Sequence, residues 1–190
     1  TALELGIIPK FIDIERKTLC IDPLKIEQAI TRKTKAIIAV HLGAMVADLD
    51  TISKICQKHN LTLIEDCAHA HGAMWGDHGI GSYGDFSCFS FQSSKLINCG
   101  EGGFIMTKKK NHWARGLSYI NCGRDSDPFS ILGVNHRLTE IHCAILLESL
   151  SNFRLQVLNR DTNVRYFTEE ISKIPGIESL VPYIKQTRQT

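Results

Sequence analysis

Asp66 follows the apolar run Leu61-Thr62-Leu63-Ile64-Glu65 and precedes the small residues Cys67 and Ala68. A carboxylate at the end of a buried strand is costly to ionise without a cationic partner, which a lysine, an arginine or a protonated ring nitrogen would supply. On residue type alone, a helix N-cap or a structural salt bridge explains Asp66 more readily. Lys95 ends the run Ser90-Phe91-Gln92-Ser93-Ser94 and is followed by Leu96-Ile97-Asn98. A lysine among apolar and hydroxyl groups is partly desolvated, its pKa falls, and a free amine attacks an aldehyde to give a Schiff base. Taken singly, a lysine is ordinarily a surface residue. Ser90, Ser93 and Ser94 add hydroxyl and amide donors of the kind that hold a phosphate.

The combination is more specific than its members. An amine for an aldehyde, a carboxylate for a protonated ring nitrogen and donors for a phosphate are the equipment for pyridoxal phosphate. With the ring nitrogen protonated, that cofactor becomes an electron sink that eases proton removal from an amine-bearing carbon. Lys95, once displaced by substrate, is placed to shuttle the proton.

These residues need a frame, and the apolar pattern supplies one. Lys10-Phe11-Ile12-Asp13-Ile14 reads as a strand, and Asp22-Pro23 opens a helix through about Ile30. Ala36 to Val40 is a continuous apolar strand of the kind buried on both faces of a parallel sheet. Leu49 to His59 carries the helical stripe Leu49, Ile52, Ile55 and Cys56, and Leu61 to Ile64 is the next strand. Phe86 to Phe91 and Phe104 to Met106 are short strands, and His112 to Tyr119 is a short helix. From Leu138 to about Ile174 the pattern is helical, with a break near Ser149 to Ser151. Strands alternating with helices predict an α/β fold with a mostly parallel sheet. Ligands gather at the carboxyl ends of such strands, which directs attention to His41, to Glu65-Asp66 and to Ser90 through Lys95.

Two other motifs carry less. Gly79-Ile80-Gly81-Ser82-Tyr83-Gly84 matches the dinucleotide pattern G-x-G-x-x-G, but it follows a loop and precedes a strand, so it reads as a glycine-rich turn. His69-Ala70-His71 lacks a carboxylate or cysteine at ligand spacing, which makes metal binding the weaker reading.

The chain of 190 residues is 43% hydrophobic and 22% charged, which suits a soluble globular protein and excludes disorder, collagen and coiled coil. Its 22 basic and 20 acidic side chains leave a net charge of +2, with no footprint for nucleic acid or an anionic membrane. No apolar segment is long enough to span a bilayer and the start lacks signal-peptide character, so a cytoplasmic protein is expected. The 7 cysteines include no Cys-x-x-Cys pair, and Cys20, Cys88 and Cys143 lie in apolar runs that predict buried thiols in a reducing compartment.

Ordered along the chain, Pro9-Lys10-Phe11-Ile12-Asp13-Ile14, Ile64-Glu65-Asp66-Cys67-Ala68, His71-Gly72-Ala73, Gly81-Ser82-Tyr83-Gly84-Asp85, Ser94-Lys95, Gly100-Glu101-Gly102-Gly103, Asn121-Cys122-Gly123-Arg124 and Gly133-Val134-Asn135-His136-Arg137-Leu138 resemble the DegT/DnrJ/StrS-type sugar aminotransferases. Phe91-Gln92-Ser93-Ser94-Lys95 and Asn121-Cys122-Gly123-Arg124 look most similar to the subgroup that uses glutamine to aminate scyllo-inosose-type keto-cyclitols. The resemblance implies the type I fold of pyridoxal-phosphate enzymes and covers the chain to about residue 172. It implies that Lys95 bonds the cofactor aldehyde, Asp66 pairs with the pyridine nitrogen, Ser90 binds the phosphate and Ala68 packs on one ring face. Asn135 would reach the phosphate of the neighbouring subunit in a homodimer with shared active sites. Lys95 favours transamination over dehydration, since related dehydratases carry histidine there.

The chain also departs from the family pattern. His69 stands where the family usually has glutamine near the ring hydroxyl, and it can donate the same hydrogen bond. Gly43-Ala44 replaces an aromatic followed by glycine. Family members are longer, which implies that residues 1–150 are a partial cofactor-binding domain, 151–174 a connecting helix and 175–190 the start of a truncated C-terminal small domain. The reading is an aminotransferase acting between glutamine or glutamate and a keto-sugar or keto-cyclitol, with this piece alone weakly active or inactive. Its rivals are a non-catalytic regulatory or interaction relative and an inactive fragment.

Overall fold

The computed structural model describes residues 2–124, 129–180, 182 and 185–188. Four strands form the main sheet: β1 (Ala36–Val40), β2 (Thr62–Asp66), β5 (Phe86–Ser90) and β6 (Gly103–Thr107), in the order β1-β2-β5-β6. β1, β2 and β5 are parallel, with Val40 opposite Asp66 and Asp66 opposite Cys88. β6 runs antiparallel to β5 and pairs Ser90 with Gly103. Position 103 requires glycine, because a Cβ there would lie 2.5 Å from the Phe89 carbonyl oxygen. A second sheet joins β3 (Met74–Trp75) to β4 (His78–Gly79) and to β7 (Gln186–Arg188).

The helices are α1 (Pro23–Ile26), α2 (Leu49–His59), α3 (Lys110–Ile120), α4 (Glu140–Ser151) and α5 (Phe153–Ile171). The expected helix start at Asp22-Pro23 is present: the Asp22 carboxylate accepts from the Leu24 amide at 2.9 Å. A 3₁₀ turn then carries the segment to Ala29. The break between α4 and α5 falls at Asn152, which caps the last turn of α4. Lys10–Ile14 does not form the predicted strand. It contributes one antiparallel bridge, Ile14 to Ile21, because the chain turns back at Arg16–Leu19 before a ladder develops.

α2 seals one face of the sheet. Its Ile52, Ile55 and Cys56 pack with Ile37, Ala39 and Leu63, while Leu49 joins Val46, Cys67, Ala70, Ala73, Trp75 and Ile80 in an adjoining cluster. The leucine, isoleucine and valine side chains among them, fully buried, each contribute about 1.5–3 kcal/mol of transfer free energy. β1 is covered on this side only: Ile37 and Ala39 are buried, whereas Ile38 and Val40 are exposed on the other face, which corrects the expectation of a strand buried on both. Cys20 is buried as predicted, but Cys88 is half-buried and Cys143, on the outer surface of α4, is exposed. Burial pushes the Cys56 thiol up to about 11, so it behaves as a small apolar core group.

The Asp48 carboxylate caps α2, accepting from the Thr51 amide at 3.0 Å and from its hydroxyl at 2.6 Å. Asp48→Ala is expected to destabilise the fold by about 1 kcal/mol, read as a lowered urea midpoint with an unchanged slope. An unchanged midpoint would show that the cap is dispensable.

Candidate active site

Parallel pairing brings the carboxyl ends of β1, β2 and β5 to one edge of the sheet, and with them His41, Asp66 and Ser90. Asp66 ends β2 half-buried, and its Oδ1 accepts from the Ala68 amide at 3.1 Å. This short Asx-type bond turns the chain out of the strand. The turn continues through Ala70, whose amide donates to Cys67, and Ala73, whose amide donates to Ala70. Ala68 is half-buried, His69 is exposed and His71 is buried.

The loop after β5 is built around Gln92. Its side-chain oxygen accepts from the Ser94 amide at 2.9 Å and from the Ser94 hydroxyl at 2.6 Å, while its nitrogen donates to the Ser93 hydroxyl at 2.8 Å. The Gln92 amide donates to the Ser90 hydroxyl at 3.3 Å. Lys95 follows, half-buried, with its amide donating to Gln92 and its carbonyl accepting from the Asn98 side chain at 3.0 Å. Both backbone groups of Lys95 are therefore held while its side chain is left for other work. The loop closes where Phe91 donates to Gly102 and accepts from Cys99. Phe91, Ile97 and Cys99 form a small core there with Leu138, Leu146 and Phe153 of the α4–α5 region. Among the described residues, neither Asp66 nor Lys95 takes part in an ion pair.

Beneath this edge lies a buried polar hub that residue types alone did not reveal. Glu65 and His41 are both 0% exposed. The Glu65 carboxylate accepts from His41 Nε2 at 3.2 Å, from the Gly81 amide at 3.0 Å, from the Tyr83 amide at 2.8 Å and from the Gly84 amide at 2.5 Å. His41 Nδ1 accepts from the Ala47 amide at 3.2 Å, which puts the ring proton on Nε2 and makes the contact a hydrogen bond from a neutral imidazole. Burial opposes the Glu65 charge, but the His41 hydrogen bond and the Gly84 and Gly81 amides overcome it and hold the carboxyl below its ordinary range.

The glycine-rich run therefore has a definite task. It is an anion cradle for an internal carboxylate, which agrees with its reading as a turn rather than a dinucleotide site. Gly81 has φ +96°, and a Cβ there would meet the Phe89 ring at 2.7 Å. His41, Glu65 and Cys67 are the one cluster among the described residues whose donor atoms lie close enough to share a cation. The polar atoms of His41 and Glu65 are already occupied by one another and by backbone amides, and burial pushes the Cys67 thiol up, so the cluster is a structural joint.

The fold thus gathers Asp66, Ala68, Ser90 and Lys95 at one sheet edge, with His69 on the exposed turn beside them. Asn135 is exposed and forms an antiparallel bridge with Asn121. No helix among the described residues is long and apolar enough to cross a membrane.

Residues 1–188 match the profile of the DegT/DnrJ/EryC1/StrS aminotransferase family. L-glutamine:2-deoxy-scyllo-inosose aminotransferase of Micromonospora echinospora is 34% identical over 203 residues, covering 100% of this chain and 48% of that protein. L-glutamine:scyllo-inosose aminotransferase of Streptomyces griseus is 36% identical over 185 residues, covering 90% of this chain and 44% of that protein. Among solved structures, 3-amino-5-hydroxybenzoic acid synthase superposes with a TM-score of 0.93 at 29% identity, covering 99% of this chain and 50% of its own. The aminotransferase from Psychrobacter cryohalolentis superposes with a TM-score of 0.88 at 30% identity, covering 90% and 47%. The chain spans about half the length of the curated relatives it matches. The mixed α/β fold is that of the type I pyridoxal-phosphate aminotransferases, and the chain belongs to the DegT/DnrJ/EryC1/StrS aminotransferase family.

Proposed function

We propose that the protein is a pyridoxal-phosphate-dependent aminotransferase that moves an amino group from glutamine or glutamate to a keto-cyclitol or keto-sugar. The observation that carries this reading is the pairing of a half-buried carboxylate, Asp66, with a half-buried ammonium, Lys95, on one sheet edge, neither having an ion-pair partner among the described residues. A carboxylate there fits a protonated ring nitrogen. An amine on a pinned backbone fits an aldehyde. Relatives named as glutamine:inosose aminotransferases support the choice of donor and acceptor.

Pyridoxal phosphate, when bound, supplies an electron sink for charge developing at the substrate's amine-bearing carbon. Asp66 would hold the proton on the ring nitrogen, with the Ala68 amide keeping the carboxylate oriented. Ser90 and the amides of the Gln92–Ser94 turn would donate to the phosphate. Ala68 would pack on one ring face, and His69, on the exposed turn, would donate to the ring hydroxyl. Lys95 Nζ would carry the proton between the substrate carbon and its neighbours. Asn135 would serve the phosphate of the neighbouring subunit in a cytoplasmic homodimer. In the whole protein, residues 1–150 would form part of the cofactor domain, 151–174 the connecting helix and 175–190 the approach to the small domain.

The test is to add pyridoxal phosphate to the full-length protein and follow its visible absorption. Borohydride should then fix the cofactor to the Lys95 peptide, and glutamine should bleach the band with release of its keto acid. A scyllo-inosose-type ketone should restore it. A non-catalytic relative would give no fixed cofactor and no bleaching, and that result would overturn the reading.

A further inference from the structure

His71 lies between the parts of the site without belonging to any role assigned above. It is 5% exposed, and its ring packs against Phe89 at 5.7 Å and Phe91 at 6.3 Å, the residues on either side of Ser90. Its imidazole donates a hydrogen bond to the Ser90 backbone carbonyl. It sits five positions after Asp66, on the turn that begins with the Asp66–Ala68 bond. Gly72, with φ +82°, then leads the chain away toward β3. The ring thus touches the phosphate-facing strand end from the aspartate turn.

We propose that His71 is a positioning residue whose ring ties the turn after Asp66 to the Ser90–Lys95 loop and so fixes the spacing of the groups that hold the cofactor. This role rests on the pyridoxal-phosphate reading of the site. Ser90 is the last residue of β5, and its hydroxyl already accepts from the Gln92 amide. Anchoring the Ser90 carbonyl from the opposite side leaves that residue little freedom to rotate. The charged and titratable groups facing the imidazole are Lys95 and His69; burial, then the Lys95 charge, then His69 press it toward the neutral form, against the Ser90 hydrogen bond. An uncharged ring keeps its donor for the carbonyl and adds no second cation beside the lysine.

Two substitutions in the full-length protein separate positioning from space filling. His71→Phe keeps the ring contacts with Phe89 and Phe91 but removes the donor, whereas His71→Asn keeps a donor and loses the ring. The dissociation constant for pyridoxal phosphate, read by absorption titration, should rise about five- to tenfold in the first and stay within about twofold in the second. Thermal unfolding without cofactor should be nearly unchanged for His71→Phe. The reverse order, Phe tolerated and Asn damaging, would show that the ring only fills space and would overturn the role. Should His71→Phe not fold, nitrogen NMR of the parent protein decides: a neutral ring at pH 6.5 with coupling across the hydrogen bond to Ser90 supports the role, and a doubly protonated or uncoupled ring refutes it. Parent protein that binds the cofactor alongside two unaffected variants refutes the His71 role alone. Parent protein that fails to bind refutes the site reading with it.

Discussion

Lys95→Ala in the full-length protein should lower amino transfer by about ten-thousand-fold and abolish borohydride fixation of pyridoxal phosphate. The expected size follows from two losses at one atom: the nucleophile that meets the aldehyde and the base that moves the proton. Folding should hardly change, by about 0.5 kcal/mol or less. The lysine side chain forms no ion pair among the described residues, and the loop is held by its backbone, through the Gln92 carbonyl and the Asn98 side chain. The serine and amide donors of the loop survive the substitution, so the cofactor should still bind, but reversibly and with an altered spectrum. A mass shift found on another lysine after reduction, or turnover within tenfold of the parent, would remove Lys95 from its role. Comparing unfolding midpoints of the two proteins guards against a trivial loss by misfolding.

What the sequence made legible was governed by local rules. The stripe of Leu49, Ile52, Ile55 and Cys56 places α2 at Leu49–His59, as the 3.6-residue period requires. The polar residues that follow apolar strands mark the candidate site edge, because parallel strands end together at their carboxyl ends. The illegible parts depend on partners distant in the chain. Nothing near Glu65 announces that its charge is met by Gly81, Tyr83 and Gly84, since those donors are backbone amides available to any sequence that turns there. The Gln186 side chain, which donates to the Ala44 carbonyl and accepts from the Val46 amide, lies 140 positions from Val46 and leaves no local trace. Lys10–Ile14 misled because alternation encodes a willing strand but not a partner. His71 stands in the sequence as half of a histidine pair and within the family-like His71-Gly72-Ala73, with no role attached; its contact with Phe89 and Phe91 depends on how the turn after Asp66 folds back onto β5.

Glu65→Gln should cost about 3 kcal/mol of folding stability, a large share of the 5–15 kcal/mol typical of a domain. One carboxylate oxygen accepts from Tyr83 and Gly84, the other from Gly81 and His41. A glutamine oxygen can serve the first pair. Its amide nitrogen then points donors at the Gly81 N–H and the His41 Nε2–H. Moving the imidazole proton to Nδ1 gives no relief, because that nitrogen would then face the Ala47 amide. Two donor–donor contacts therefore persist whichever tautomer forms, one at the Gly81 amide and one at His41, at a site where both side chains are fully buried. The pH dependence carries a second signature. The folded carboxyl is held below its ordinary value of 4.5, so the native state binds fewer protons than the unfolded chain as pH falls from 4.5 toward that depressed value. Stability from Glu65 is therefore complete above pH 4.5 and is lost as pH drops through the folded value. Urea unfolding at pH 7 should show the full difference between parent and variant, and the gap should narrow on acidification below pH 4.5. Equal stability at pH 7, or a gap that widens in acid, would show that the carboxylate is not what holds the glycine-rich loop beneath Asp66.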